Sequence, residues 1–302
     1  MPTMSEAAVT TVLDARNIVG ESIIWSPTEQ ALYWVDIVGS AIHRLVPGTG
    51  VHQHWATPEL PTSIGLRRGG GFIVGLHRRV VLWRPGGAFE TFAVPEPDSP
   101  DNRLNEGVVA PDGSFWVGTM QDNIGADGGP KPAPDRTGRL YRISPDGKVT
   151  SLSAERFGIT NTMVWLDDGS FVTADTTTDT LLRFDYDGAA AELINPRAFV
   201  ASPGRGLPDG STRDAAGAVY NCRVAGGGSI ARISPAGEVG LIELPCASPT
   251  SCTFGGPDLR TLYVTSARFG MSAADLLRRP QEGGLFAVSL AIEGWPSHQF
   301  AG

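Results

Sequence analysis

The chain has 302 residues, 41% of them hydrophobic, with 38 glycines, 23 prolines and a formal net charge of −8. That acidity excludes a nucleic-acid role, which requires a basic footprint; Arg67-Arg68 and His77-Arg78-Arg79 flank one hairpin without interleaved aromatic residues. No apolar run approaches the ~20 residues of a membrane span, Met1 to Ala8 has no basic segment followed by an apolar stretch, and the odd set Cys222, Cys246 and Cys252 fits reduced thiols of a cytoplasmic protein rather than a disulfide framework.

In chain order, the first element is Val9–Leu13, an alternating strand with no unit before it. A phrase then recurs six times, each copy an aromatic or aliphatic strand ending in a small, acidic or polar residue. The copies begin at Leu32, Phe72, Phe115, Phe171, Val219 and Leu262, which are 40, 43, 56, 48 and 43 positions apart. That period, with four short strands per unit, is the signature of a β-propeller blade. The second half of the unit repeats as well, in Gly138–Gly147, Leu181–Gly188 and Ser229–Gly237, each reading as a strand followed by a turn. A last partial copy, Gly284–Val288, completes the sixth unit, and Ser272–Arg279 reads as one short helix just before it. The fold predicted is all-β: a single domain over 1–302, a six-bladed β-propeller with a central channel. Val9–Leu13 is expected to join the last blade and close the ring, which removes exposed strand edges. The longest interval contains Gln121–Arg136, rich in Gly, Pro and Asp. It reads either as a lid over the channel mouth or as a tolerated surface insertion.

The sequence offers no serine elbow and no phosphate loop, and His43, His52, His54, His77 and His298 read as outer-strand or tail residues. What remains is a set of polar residues at one register. Glu21 precedes Leu32 by 11 positions, while Asn105, Asn161 and Asp209 precede Phe115, Phe171 and Val219 by 10. A constant offset from a repeating landmark puts residues at one height on the channel wall. Two carboxylates and two amides there form an all-oxygen set suited to a hard divalent cation. Register is what singles them out, because Pro-Asp-Gly alone is an ordinary turn, as at Pro111-Asp112-Gly113 and Pro145-Asp146-Gly147. Arg223 ends a strand of the fifth unit and reads either as channel-facing or as a salt-bridged strand end.

These residues sit in motifs that resemble the SMP-30/gluconolactonase/luciferin-regenerating (regucalcin-like) family from about Leu13 to Leu290. The matching segments are Gly20-Glu21-Ser22 with Trp25-Ser26-Pro27, Asn102-Arg103-Leu104-Asn105, Gly118-Thr119-Met120, Ile159-Thr160-Asn161, Pro208-Asp209-Gly210, Thr250-Ser251-Cys252, Phe254-Gly255-Gly256, Leu262–Arg268 and Leu276–Pro280. The resemblance implies one divalent cation (Ca, Zn, Mg or Mn) held by Glu21, Asn161 and Asp209. It also implies Asp209 as general base, and Arg103 and Asn105 as substrate contacts. The chain departs from the family's pattern at Glu106, commonly Asp, at Thr162, often Gly, and at Asn123, acidic in some members; these departures bear on which sugar is taken.

The function expected is a metal-dependent lactonase that hydrolyses a sugar lactone or similar small cyclic ester. The same cation site also suits a promiscuous esterase or phosphotriesterase, or a non-catalytic calcium-binding propeller. A scaffold that binds a protein or peptide would not need Glu21, Asn161 and Asp209 in one register. The partner expected is a small-molecule lactone, with no nucleic acid and no membrane.

Overall fold

In a computed structural model that describes residues 8–302, every copy of the recurring phrase forms the second strand of a four-stranded antiparallel sheet. Residues 1–7, and with them nearly all of the Met1 to Ala8 segment, lie outside the described residues. The sheets cover residues 20–56, 63–93, 102–151, 160–201, 207–243 and 249–289, and are numbered here as blades 1 to 6. Blade 6 has three strands of its own, Pro249–Gly255, Thr261–Ser266 and Leu285–Ser289. Its fourth is Val9–Leu13, which places Val9 opposite Val288 and Thr10 opposite Ala287. The ring is therefore closed by the N-terminal strand, as the sequence predicts.

The phrase recurs because its strand is buried on both faces. Successive side chains of a strand point to opposite sides, so each second strand feeds two seams. In blade 1, Leu32 and Trp34 pack toward blade 6 with Tyr263 and Leu285, while Tyr33 and Val35 pack toward blade 2 with Phe72 and Val74. Ile73 meets Phe115 and Val117 at the next seam, and Trp116 meets Phe171 at the one after. Val172 then meets Val219, and Tyr220 meets Leu262 and Val264. Six apolar clusters thus fill six seams, and Trp34, Trp116, Phe115 and Phe171 are fully buried within them. A strand with one wet face would alternate apolar with polar; these read as continuous apolar runs for the reason parallel sheets do.

The first strand of each blade lines the channel: Gly20–Ser26, Ser63–Leu66, Asn102–Val109, Thr160–Trp165, Leu207–Arg213 and Pro249–Gly255. The short helix expected before the last strand is present as Ala273–Arg278, started by a capping box between Ser272 and Asp275. No helix among the described residues is long and apolar enough to cross a membrane.

One element had no sequence signal. Residues 294–302 run as a strap across the channel at the C-terminal ends of the first strands. Gly294 and Trp295 N–H donate to Leu259 and Arg213 carbonyls at 2.8 and 3.0 Å, on blades 6 and 5. Phe300 and Ala301 N–H donate to Leu66 and Gly113 carbonyls at 2.8 and 2.9 Å, on blades 2 and 3. The Arg213 guanidinium lies 4.0 Å from the Trp295 ring centroid, and Phe300 is fully buried. Between strap and channel wall is a cavity of about 110 Å³ whose lining includes Ile24, Glu106, Met163, Trp165, Trp295 and His298.

The strap's seating requires glycine at 294, because a Cβ there would meet Phe254 Cγ at 1.9 Å. Gly294→Ala should therefore lift the strap or displace Phe254, costing roughly 1–3 kcal/mol as overpacking does. Thermal denaturation should show a midpoint several degrees below the parent; an unchanged midpoint would mean that the strap contributes nothing to stability.

Candidate functional site

Five of the six channel strands carry a register irregularity near their start: between Glu21 and Ile24, Leu104 and Gly107, Asn161 and Met163, Pro208 and Ser211, and Pro249 and Cys252. Blade 2 pairs without one, from Ser63 to Leu66. A bulge re-aims side chains that a regular pleat would alternate. Glu21, Asn105, Asn161 and Asp209 all stand at these bulges, which is the physical content of their common offset. At two of the four site positions the following residue takes up the bend in its backbone conformation: Ser22 and Thr162 adopt φ 50° and 58°.

Three of the strand entrances, in blades 1, 4 and 5, are held by the last residue of the recurring phrase. Asp36 accepts the Ile18 and Val19 N–H groups at 2.9 Å each, just ahead of Glu21. Asp175 accepts the Gly158 and Ile159 N–H groups at 2.8 and 3.2 Å, just ahead of Asn161. In blade 5 the polarity reverses. Arg223 donates to the Arg205 and Gly206 carbonyls at 3.2 and 2.7 Å, ahead of Asp209, and pairs with Asp179. Arg223 is fully buried on the second strand, one layer back from the channel. Of its two sequence readings, the salt-bridged one is what the structure contains.

Asn161 is held at both side-chain polar atoms and at its carbonyl. Its Nδ2 donates to Thr176 Oγ1 at 2.8 Å, its Oδ1 accepts from Asn105 Nδ2 at 3.2 Å, and its carbonyl accepts from Thr173 Oγ1 at 3.0 Å. Asn105 Oδ1 accepts from Arg103 Nη1 at 2.8 Å. Arg103, itself buried, also reaches Asn123 Oδ1 through Nε and Nη2 at 3.2 and 3.0 Å, and the Leu104 carbonyl at 2.8 Å. These bonds use four of its five N–H groups, leaving one Nη2 hydrogen without a partner among the described residues.

Glu21 and Asp209 are both buried, with their carboxyl groups close enough to perturb one another. Burial pushes the Glu21 carboxyl up to about 7, against the bond from the Ser22 N–H and the nearby Arg103 charge. Burial raises Asp209 well above the usual carboxylate range too, reinforced by the charges of Glu21 and Glu106. Burial and Glu21 likewise raise Glu106, on the residue after Asn105. Two facing carboxylates out of water hold a proton between them unless a cation replaces it. Arg103 provides one positive charge here, and burial lowers its own pKa to about 10. The donor set of Glu21, Asp209 and the Asn161 amide oxygen therefore fits a hard divalent ion. Among the described residues no group of three or more His, Cys, Asp or Glu has metal-holding geometry, so an ion here needs oxygens besides the carboxylates, and the Asn161 amide is one at hand.

The loop within Gln121–Arg136 approaches this site: Asn123 bonds Arg103, and Asp122 lies 3.8 Å from the same guanidinium. Asp122 also pairs with Lys131 at 3.2 Å and lies 3.3 Å from His77. His77 corrects the sequence reading. It lies on the turn after Phe72–Gly75, at the mouth of the channel, instead of on an outer strand; a turn residue carries no periodicity that would place it. His43, His52 and His54 do lie on the outer strands of blade 1, with the first two rings stacked on Trp34. A cleft of about 410 Å³ opens between the loop and blades 1 and 2, lined by residues including Val38, Leu60, His77, Asp122, Gly128 and Lys131. The family's pattern points to this stretch through Asn123, with Asp122 one place off, but not to the pairing of Asp122 with Lys131.

Comparison with known proteins agrees with this architecture. Residues 19–268 match the family described as the SMP-30/Gluconolactonase/LRE-like region. The chain is 34% identical over 291 residues to a 6-deoxy-6-sulfogluconolactonase of Pseudomonas putida, covering 95% of this chain and 96% of the relative. It is 33% identical over 295 residues to a pentonolactonase of Haloferax volcanii, with coverage of 95% and 96%. The crystal structure of a calcium-binding protein, regucalcin, from Agrobacterium tumefaciens superposes with a TM-score of 0.89 at 25% identity, covering 99% of each chain.

The buried pair makes a prediction about stability. Glu21 titrates at about 7 in the folded chain against an ordinary 4.5. The folded state therefore holds the proton more tightly, and stability is lost as pH rises from 4.5 through 7. In chelator-treated protein, Glu21→Gln should raise the melting temperature at pH 8 and make little difference near pH 4.5. A variant less stable than the parent at pH 8 would show that the carboxylate is not a net cost.

Proposed function

The chain belongs to the SMP-30/gluconolactonase/LRE-like family, and from that premise we propose that it is a metal-dependent lactonase that opens a hydroxylated sugar lactone to its hydroxy acid. The observation that carries the proposal is the buried Glu21–Asp209 pair with the Asn161 amide at the same height and the buried Arg103 guanidinium nearby. A binding scaffold gains nothing from two carboxylates that cost stability; a cation site needs them. The relatives named as sulfogluconolactonase and pentonolactonase support hydrolysis of a sugar lactone, and the one named as a calcium-binding protein supports a divalent ion.

Glu21, Asn161 and Asp209 would hold the ion through oxygen. Bound there, a divalent cation supplies Lewis-acid polarisation of the lactone carbonyl. The two carboxylates balance its charge, so a neutral lactone meets no net repulsion. Arg103 and Asn105 orient the lactone by hydrogen bonds, the unengaged Nη2 hydrogen of Arg103 being the donor on offer. Asp209 takes a proton from the attacking water as the new carbon–oxygen bond forms. The ring carbon–oxygen bond then breaks, and the proton passes from Asp209 to the departing alkoxide oxygen, leaving a hydroxy acid. Asn123, fixed against Arg103, sets what the guanidinium can reach.

Chelation should abolish lactone hydrolysis and a divalent cation should restore it. Asp209→Asn should keep an oxygen ligand but lose about 10²-fold or more in kcat, the scale of general-base removal. A pH-indicator assay on aldonolactones, with metal content checked by elemental analysis, reads both. Unchanged turnover after exhaustive metal loss would defeat the metal mechanism, and ion binding without turnover on any lactone would make this a calcium-binding propeller.

Substrate choice is checked by competition. A site with buried donors discriminates against ligands that leave them unpaired. A five- or six-carbon aldonolactone should show higher kcat/KM than butyrolactone or valerolactone, and Arg103→Ala should erase much of that difference. Preference for aryl esters or phosphotriesters would favour a promiscuous hydrolase instead.

A further inference from the structure

Thr162 holds φ at 58°, in the left-handed region where a β-branched side chain is an outlier. Such strain persists only where surrounding contacts over-determine it. Thr162 is fully buried, and its hydroxyl is the centre of a closed set of bonds across the seam between blades 4 and 5. It donates to the Asp209 carbonyl at 2.6 Å, accepts from Asn221 Nδ2 at 3.0 Å, and lies 3.0 Å from Ser211 Oγ. Asn221 Nδ2 reaches the same Asp209 carbonyl at 3.1 Å, and Asn221 Oδ1 is held by Arg223 Nη1 at 3.1 Å. Ser22 adopts the matching backbone conformation after Glu21, but its hydroxyl accepts from the Ile64 N–H at 2.9 Å, in the blade that lacks a bulge. Asn105 Nδ2 also crosses between site bulges, to the Thr160 carbonyl and Asn161 Oδ1 at 2.8 and 3.2 Å, but the bulges bearing Asn161 and Asp209 are joined through the Thr162 hydroxyl.

We propose that Thr162 is a positioning residue, whose hydroxyl locks the bulge bearing Asn161 to the bulge bearing Asp209 and so sets the spacing of their oxygens. The proposal rests on the reading of those two residues as cation ligands. Thr162 has no group directed at substrate; it acts through the Asp209 main chain. Its backbone strain is offset by the bond it makes, and glycine would remove the strain and the bond together.

Three variants separate positioning from folding. Thr162→Val keeps the shape and the strain but deletes the hydroxyl. It should weaken divalent-cation affinity, measured by calorimetry with Ca²⁺ and Mn²⁺, by roughly tenfold or more, the scale seen when support behind a ligand is removed. At saturating cation its kcat on an aldonolactone should fall while KM changes little. Thr162→Ser should restore most of both. Thr162→Gly should melt at or above the parent temperature yet lose affinity as the valine variant does, and it carries the comparison if the valine variant fails to fold. Parent-like affinity and kcat in the valine or glycine variant, or losses that track melting temperature across all three, would overturn the proposal. A parent protein that binds no divalent ion would instead defeat the functional reading. Thr162 would then be judged by hydrogen–deuterium exchange over residues 207–213: faster exchange without the hydroxyl and parent-like exchange in the serine variant support it, and no change overturns it.

Discussion

Everything in this molecule depends on second strands that are dry on both faces. Tyr33 and Trp34 are neighbours in sequence yet belong to different seams, one toward blade 2 and one toward blade 6. Each blade therefore serves as core for two others, and no seam can loosen without exposing apolar side chains on both sides. Interiors packed in this way transmit strain instead of absorbing it. The channel strands inherit that rigidity, because each is bonded along its length to a second strand that cannot move.

Against so stiff a frame, the bulges concentrate polar groups where the fold alone would not put them. Glu21, Asp209 and Glu106 are carboxyl groups that burial pushes toward their neutral forms. The strands that carry Glu21, Asn161 and Asp209 are each anchored at the entrance, by Asp36, Asp175 and Arg223. Arg223 does with carbonyl acceptors what the two aspartates do with N–H donors, which explains why one position of the repeat accepts opposite charges. Local destabilisation held in place by a stable scaffold is the usual condition of a functional site.

Much of this was legible in the sequence, since periodicity reports which residues share a face. The six-fold phrase implied the blades, Val9–Leu13 implied closure, and the shared offset brought Glu21, Asn105, Asn161 and Asp209 to one height. The offset also carried information about bulges, although a spacing rule alone does not distinguish a bulge from a regular pleat. What escaped was non-periodic. The strap at 294–302 is a run of single hydrogen bonds with no repeating pattern, and His77 sits on a turn; Asn123 stands out as a departure from the family's pattern, but its bond to Arg103 comes from a loop that no spacing places. For Arg223 the salt-bridged of its two readings is the one present, because the recurring phrase is the second strand rather than the first, so its end points at a loop and not at the channel.

The pairing of Val9 with Val288 also orders events in time. During synthesis the first strand leaves the ribosome long before its partner exists, and every seam from blade 1 onward can assemble while the last remains open. Until Leu285–Ser289 emerges, Val9–Leu13 is an unattached strand, and blade 1 shows Leu32 and Trp34 to water. Contacts so distant in sequence form slowly. A nascent ring of this kind is thus a sticky, C-shaped object with one free strand, and in a crowded cell the same strand from a neighbouring chain could complete it first. Closure through a terminal strand secures the finished molecule, and it makes the final moments of folding the time of greatest exposure to exchange between copies.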